Sequence, residues 1–282
     1  MEKIFGVVIL YHPDFQIKDN IASYLPFIEK LLVIDNSEPA AKISFDFPED
    51  KVIIIADGEN KGIAARLNQA ASYAVAEGAT WLLTMDQDSF FDEDNINRYR
   101  QCFDAYEGKD KVAMFGVEYE QRPQAIHCEY FETDMLITSG SLVNLGLLQK
   151  LGGFDEALFI DEVDSEYCFR ANSKGFKTVK LSNVYLHHSL GIAGAYRSLK
   201  NFKKSVRTLH APIRIYYMVR NSLYVAEKYK HNLPASFPLR RKTVLNRIKN
   251  NLLYGKEKTK LLRYIWLAYR HYKSGKMGKL ML

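Results

Sequence analysis

The stretch WLLTMDQDSF, residues 81–90, decides the fold that we predict for this chain. Its first five residues are almost all apolar, which is typical of a strand buried in a parallel sheet. Two carboxylates, Asp86 and Asp88, follow where that strand would leave the core. Because aspartate and serine are also ordinary turn residues, the pair alone fits either a solvated turn or a metal site.

Three other short apolar runs have the same design, and each is followed by polar, mostly acidic residues. They are Ile4–Leu10 before YHPD, Leu31–Ile34 before DNS, and Val52–Ala56 before DGENKG. Between Val52–Ala56 and Trp81, apolar residues at helical spacing predict a helix that ends at Gly78. Alternating strands and helices predict an α/β protein with a doubly wound, mainly parallel sheet. Ligands bind at the carboxyl ends of such strands, so we expect the four polar ends to form one site.

The second half of the chain mixes strand-like and helical segments. They are strand-like Val112–Val117 and Met135–Thr138, the small-residue loop SGS (139–141), a helix near Leu145–Leu151, strand-like 178–191 and helical 211–229. We predict a main domain over residues 1–205 and a helical C-terminal extension over residues 206–282.

The composition, 282 residues of which 47% are hydrophobic, suits one large domain or one domain with an appendage. The three cysteines lie far apart without a CxxC pair, which predicts no disulfide framework and a reducing compartment. We expect neither a signal peptide nor a membrane span, and therefore a cytoplasmic protein.

Charge is distributed unevenly along the chain. Residues 240–279 carry thirteen Lys or Arg and one acid, Glu257, whereas residues 1–239 have a net charge of −6. A negatively charged partner is therefore expected to meet the tail. The acidic body argues against a long nucleic-acid track.

Four motifs suggest chemistry. Asp86 and Asp88, at positions i and i+2 of extended backbone, project to the same side and suit Mg²⁺ or Mn²⁺. The sequence NKG (60–62) opens a helix and fits either a phosphate site or a simple helix start. Four acids crowd into FIDEVDSEYCFR (159–170), which suggests either a general base or a solvated helix start. His187 and His188 follow a strand, and one of them is expected to face the site.

In this order and spacing, the motifs resemble the inverting family 2 glycosyltransferases of the GT-A fold, particularly bacterial rhamnosyltransferases. The matching segments are VVILYHPD, VIDNS, ENKGIAARLNQA, LTMDQDS, SGSLV, GGFDEALFIDEVDSEYCFR, HHSLG and RIYYMVRN, within roughly residues 4–221. The resemblance implies a GT-A catalytic domain over residues 1–205, a nucleotide-diphosphate sugar donor and a divalent metal.

The resemblance also implies roles for particular residues. Asp88 would ligate the metal, His188 would lie near the metal or diphosphate, and Asp86 would lie nearer the ribose or sugar. The remaining nucleotide-binding candidates are Tyr11, Pro13, Asp35, Asp57 and Asn60.

The resemblance defines the general base less closely than it defines the metal-binding and nucleotide-binding residues. Family members commonly carry Glu-Asp ahead of an arginine, and counting back from Arg170 gives Asp164 as that aspartate, with Val163 in place of the glutamate. Asp161 and Glu162 therefore remain alternative bases.

The resemblance implies transfer of a sugar, best L-rhamnose from dTDP-rhamnose, with inversion, to a glycan or lipid-linked acceptor in bacterial surface polysaccharide synthesis. Another sugar from a UDP-sugar is the alternative. A nucleotidyltransferase would usually begin with a Gly-rich basic loop, which VVILYHPDF lacks. A non-catalytic nucleotide-binding protein is the third reading.

The tail has apolar residues at helical spacing among Lys and Arg. They are Val244, Ile248, Leu252, Leu261, Leu262, Ile265, Trp266 and Tyr269. One interpretation is a pair of helices packed on the body with a solvated basic face. The other is an interfacial helix on anionic lipid, which would place the protein peripherally at the inner face of the cell membrane.

Overall fold

The first apolar run forms the central strand β1 (Ile4–Leu10) of the computed structural model. The structure describes residues 2–41, 45–119, 127–188, 193–197, 203–233 and 235–281. Strand β1 pairs in parallel with β2 (Lys30–Asp35) and with β4 (Trp81–Asp86), and β3 (Val52–Ile55) pairs in parallel with β2. The three central strands are nearly fully buried, as their apolar runs predict. All four predicted strands are confirmed.

Four more strands complete the sheet: β6 (Val112–Glu118), β7 (Tyr130–Glu132), β8 (Ser141–Asn144) and β9 (Lys177–Tyr185). The order is β3-β2-β1-β4-β8-β6-β9-β7. β8 is antiparallel to β4 and β6, and β7 is antiparallel to β9, whereas the other pairings are parallel. The predicted α/β class with a mainly parallel sheet is confirmed.

Among the described residues, five α-helices accompany this sheet along the chain. They are α1 (Ile17–Tyr24), α2 (Ile63–Ala76), α3 (Glu93–Ala105), α4 (Leu145–Leu151) and α5 (Val163–Ser173). Asn144 caps α4 by accepting the Leu147 amide N–H, and Gly152 in the left-handed conformation ends it. Short strands β5 (Ser89–Phe90) and β10 (His187–His188) form a separate antiparallel pair.

The predicted strand at Met135–Thr138 is wrong. Strand β8 begins only at Ser141, after a turn in which the Ser141 amide donates to the Thr138 carbonyl and Gly140 has a φ of +71°. The apolar character of the segment has another cause: Leu136 is buried against Gly116, where an added Cβ would lie 2.7 Å from its side chain. The apolar residues of this segment therefore reflect a side chain that covers the sheet, and not a strand within it.

The expectation of no disulfide is also wrong, because Cys102 of α3 is bonded to Cys128. The segment before β7 runs back beside β9, where Asn183 donates to the His127 carbonyl at 2.9 Å. Residues 26 apart in sequence are thereby brought together. The inference of a reducing compartment loses this support, while Cys168 is a buried free thiol.

The chain divides into two compact units. The first comprises Met1–Phe159 and Val163–His188, and the second comprises Ile160–Glu162 and Ser189–Leu282. The sequence predicts an extension that begins at residue 206, which lies within the second unit, in the strand Lys204–Thr208.

The described residues of the second unit form a hairpin and three α-helices. They are β11 (Ala193–Arg197), β12 (Lys204–Thr208), α6 (Pro212–Tyr229), α7 (Phe237–Tyr254) and α8 (Lys258–Lys273). Tyr216 of α6 bonds His271 of α8 through its hydroxyl at 2.8 Å, and the buried Arg220 donates to the Gly278 carbonyl. Within the described part of the chain, none of the helices has the length and apolarity needed to cross a bilayer.

Candidate active site

The acidic strand ends of the first unit lie at one edge of the sheet. The register pairs Leu10 of β1 with Asp35 of β2, and Ile9 with Asp86 of β4. Parallel strands present their carboxyl ends together, so a buried acid and an exposed acid flank the end of β1. The predicted convergence of these ends is observed for β1, β2 and β4.

Asp86, Asp88 and His188 form a group that could hold a metal ion. Each offers one ligand atom, and these atoms lie within 4.8 Å of one another. The antiparallel pair β5–β10 causes this meeting, because His188 lies opposite Ser89 in its register. Two carboxylates and an imidazole are a donor set that suits Mn²⁺, so the residues present fit the predicted metal. Asp86, which the resemblance places nearer the ribose or sugar, lies among the candidate ligands.

Ser89 bonds His188 and Ser139 bonds Ser89, and neither serine is singled out by the sequence. The Ser89 hydroxyl is 2.7 Å from His188 Nδ1 and 2.8 Å from the Ser139 hydroxyl, which accepts the Asp86 amide N–H. Both serines are essentially fully buried. They occur in the quoted motifs DQDSF and SGS, but nothing in those motifs indicates that the two loops meet.

We expect Ser89→Ala to weaken Mn²⁺ binding by about 10–100-fold, the usual cost of losing the group that orients a metal-binding histidine. The measurement is Mn²⁺ titration followed by electron paramagnetic resonance, with thermal unfolding as a check of the fold. Ser23→Ala, which removes a hydroxyl bonded to the Phe91 amide, is the matched control. Unchanged Mn²⁺ affinity in Ser89→Ala would contradict the assigned role.

Asp35, the predicted nucleoside-binding acid, is fully buried and already held in place. Its two carboxylate oxygens accept the amide N–H groups of Ser37 at 2.9 Å and Ala41 at 2.6 Å. The predicted neighbour Tyr11 is 52% exposed, and its amide donates to the Gln87 side chain at 2.7 Å. Gln87 therefore ties the DQD turn to the end of β1, next to the partly exposed Pro13.

Asp57 and Asn60 belong to a network organised by Arg66, a residue that the sequence analysis missed. The Arg66 guanidinium is fully buried and donates to both Asp57 oxygens and to the Asn36 side chain. These hydrogen bonds hold the pKa of Asp57 well below its usual range. Asn60 bonds Asn36 at 3.0 Å. A single arginine on the otherwise apolar face of α2 is the signal that could have revealed the network.

The helix start at NKG is fixed by a close approach of two backbones. Gly62 has a φ of +84°, and an added Cβ would lie 2.6 Å from the Phe159 carbonyl oxygen. The Ile63 amide donates to that same carbonyl. Lys61 pairs with Asp57 at 2.8 Å and with Glu59 at 3.2 Å, so its ammonium group lies beside carboxylates in this state.

The four acids of the 161–166 cluster have different surroundings. Asp161 and Glu162, in the second unit, pair with Arg214 and Arg240. In the first unit, Glu166 is buried and pairs with Arg170 at 2.8 Å, while Asp164, the second residue of α5, accepts the Ser165 amide N–H at 2.8 Å. Arginines therefore hold the two alternative bases.

Tyr119, which follows β6, lies beside His188 of the metal group. Its hydroxyl donates to the Ser139 carbonyl at 2.8 Å, and its ring lies edge-on to His188 at 5.9 Å. Burial raises the pKa of Tyr119 well above its usual value, and the charges of Asp86 and Asp164 raise it further. Both carboxylates therefore lie close enough to Tyr119 to affect its ionisation.

Comparison with known proteins finds a matching family model and a related protein sequence. A family model described as glycosyl transferase family 2 matches residues 16–121, which include Asp35, Asp57 and the DQD turn. A dTDP-rhamnosyl transferase of Shigella flexneri, RfbF, is 24% identical and aligns over 92% of this chain and 90% of its own.

Among solved structures, residues 1–349 of S. aureus TarS in complex with UDP-GlcNAc match with a TM-score of 0.57 at 14% identity, over 97% of this chain and 92% of that chain. GalNAc-T7 with UDP, GalNAc and Mn²⁺ matches with a TM-score of 0.58 at 10% identity. That match covers 97% of this chain and 56% of the GalNAc-T7 chain. At these identities the solved structures show a shared fold.

Proposed function

We propose that this chain, a member of glycosyl transferase family 2, transfers a sugar from a nucleoside-diphosphate donor to an acceptor hydroxyl with inversion. The observation that carries the proposal is the meeting of Asp86, Asp88 and His188 at the carboxyl end of β4. A divalent metal bound there would neutralise the charge that develops on a diphosphate leaving group. Asp88 and His188 would hold it, with Asp86 directed toward the ribose or sugar.

The nucleoside would bind at the neighbouring strand ends. Asp35 is prearranged by two amide donors, and the exposed Tyr11 ring, with Pro13, offers a surface for the base. In this proposal Asp57 and Asn60 act through the Arg66 network, which keeps the loop before α2 in place. Such preorganisation reduces the entropy lost when the nucleotide binds.

Asp164 is the proposed general base. Inversion in one displacement needs a carboxylate that takes the acceptor proton on the face opposite the leaving diphosphate. The position of Asp164 ahead of Arg170 supports this role. The ion pairs of Asp161 and Glu162 favour structural roles for those two acids.

The favoured donor is dTDP-rhamnose, because the rhamnosyl transferase RfbF aligns over 92% of the chain. A UDP-sugar is the second candidate, since structures of TarS and GalNAc-T7 with this fold contain UDP-GlcNAc or UDP. We propose a glycan or lipid-linked acceptor, in synthesis of a bacterial surface polysaccharide.

A nucleotide-sugar screen tests the proposal. The intact chain is incubated with Mn²⁺ and dTDP-rhamnose, UDP-GlcNAc or UDP-galactose, and both thermal stabilisation and release of the nucleoside diphosphate are recorded. We expect stabilisation and slow hydrolysis with one donor class, both lost in EDTA. Pyrophosphate release from a nucleoside triphosphate would instead indicate a nucleotidyltransferase.

We further propose that α8 attaches the protein to an anionic membrane surface on the cytoplasmic side. Leu261, Tyr264 and Ala268 of α8 are buried, whereas Leu262, Trp266 and Tyr269 are each more than half exposed. These three exposed residues, the α8 stripe, are spaced by one helical turn. Arg270 lies over the Trp266 ring at 5.3 Å and Lys273 over the Tyr269 ring at 6.0 Å. Aromatic and basic side chains together are typical of interfacial helices.

Point substitutions in α8 test this membrane proposal better than removal of the tail. Leu261 and Tyr264 are buried and Tyr216 bonds His271, so deletion of residues 240–282 would uncover α6. We instead expect Leu262→Ser with Trp266→Ser to weaken binding to phosphatidylserine vesicles by about 10–100-fold, through lost burial of apolar area. Co-sedimentation with the vesicles at low and high salt measures this binding, because salt should screen the attraction between the basic residues and the anionic lipid.

Phe131→Ser, which removes a side chain of similar exposure from β7, is the control and should bind like the intact chain. Equal vesicle binding by the double variant would exclude the α8 stripe as the contact. No binding by the intact chain at low salt would exclude attachment altogether.

A further inference from the structure

Residues 160–162 are held by helices of the second unit, although the chain on either side of them belongs to the first. The fully buried Asn221 of α6 donates from its side-chain amide to the carbonyls of Ile160 at 2.7 Å and Asp161 at 3.0 Å. One amide group thus fixes two consecutive peptide units. Buried hydrogen bonds of this kind specify one backbone conformation.

The side chains of the segment are fixed as well. Arg214 of α6 donates from Nε and Nη2 to the two oxygens of Asp161, each at 2.9 Å. Arg240 of α7 pairs with Glu162, and the Asp161 and Glu162 side chains are each only 12% exposed. A bidentate arginine–carboxylate pair fixes the relative orientation of the two groups as well as the distance between them.

The backbone conformation of this segment explains why residues 160–162 need so many contacts. Phe159, Asp161 and Glu162 have φ values of +65°, +63° and +70°. Residues with a Cβ rarely adopt this left-handed region, and they keep it only where the surrounding structure holds them there. Arg214, Asn221 and Arg240 hold it at residues 160–162.

We infer that Arg214, Asn221 and Arg240 are positioning residues that fix residues 160–162, and thereby the start of α5, for turnover. Helix α5 begins at Val163, the residue after Glu162, and the proposed base Asp164 is its second residue. The inference rests on the proposed function for its link to catalysis. It assigns Asp161 and Glu162 the role of anchor points, where the resemblance leaves them as alternative bases.

A double-mutant cycle tests the inference. Arg214→Ala and Asp161→Ala should each lower kcat by about tenfold, with the donor KM unchanged, and the double variant should be no slower than the slower single variant. Arg214→Lys should keep only part of the turnover of the intact chain, because an ammonium group cannot reproduce the bidentate contact of the guanidinium. Exchange of the partners, Asp161→Arg with Arg214→Asp, should restore part of the turnover.

Hydrogen exchange of the amides of residues 160–166 supplies a readout that does not depend on activity. We expect faster exchange in Arg214→Ala and Asp161→Ala, and no change in Lys260→Ala, which breaks the exposed pair of Lys260 with Glu257. If Arg214→Ala does not fold, Arg214→Gln replaces it in the cycle.

The outcomes separate the two proposals. Loss of turnover in Asp161→Ala with full turnover in Arg214→Ala would make Asp161 a catalytic residue and overturn the inference. Unchanged exchange and turnover in both single variants would also overturn it. If the intact chain acts on no nucleotide sugar, the proposed function fails, while the exchange measurement still decides whether the arginines hold the segment.

Discussion

Asp88→Ala is expected to lower sugar transfer by at least about 10³-fold, because a bound metal contributes several kcal/mol of charge stabilisation to the transition state. Asp88 is exposed at the turn after β4 and is one of the three grouped ligand candidates. Its removal takes away the one carboxylate proposed to hold the metal and leaves His188 as the remaining proposed ligand, without a hard oxygen donor from Asp88.

Three measurements define this result. They are transfer rate, Mn²⁺ affinity and Mn²⁺-dependent binding of the nucleoside diphosphate, and all three should fall together while the melting temperature is kept. Asp94→Ala, at an exposed acid in the first turn of α3, is the control and should behave like the intact chain. Full activity of Asp88→Ala, or of the intact chain in excess EDTA, would rule out a metal-dependent mechanism at this site.

Asp164→Asn is expected to lower kcat by about 10²–10⁴-fold, the range typical of a lost general base, with donor affinity almost unchanged. Asparagine keeps a side-chain oxygen that can accept the Ser165 amide N–H, so the start of α5 should be retained. Single-turnover transfer and donor titration separate the two quantities. Asp161→Asn and Glu162→Gln should have smaller effects.

The control for this substitution is Asp104→Asn, at an exposed residue near the end of α3. Glu162→Gln with a loss larger than that of Asp164→Asn would move the base to the segment held by arginines. Equal loss of donor affinity and turnover in Asp164→Asn would make Asp164 a binding residue instead.

The sequence predicts the strands around β1 well because burial on both faces leaves a clear signal. Residues Ile4–Leu10 and Trp81–Asp86 lie inside the sheet, and their apolar runs end where the strands end. Segment Met135–Thr138 has similar residues for a different reason, since Leu136 covers the face of Gly116. Composition alone cannot separate a residue in a sheet from one that lies on it.

The carboxylates of the site could be predicted, whereas the groups that hold them could not. Asp86 and Asp88 follow a strand, so their location depends on local pattern alone. Ser139, Arg66 and Arg214 act through partners 50, 9 and 53 residues away in sequence. Only the folded backbone brings such pairs together. The same applies to the bond between Cys102 and Cys128.

The two-residue pair β5–β10 selects which of two adjacent histidines meets the acidic turn. Successive residues of a strand face opposite sides, so a slip of one position would exchange His187 for His188. In the observed register His188 lies opposite Ser89, while His187 lies opposite Phe90 and stacks on its ring at 4.5 Å. This aromatic stack and the Ser89 hydrogen bond both oppose slippage. Strand alignment thus decides which histidine is the candidate ligand, since the sequence offers the same side chain at both positions.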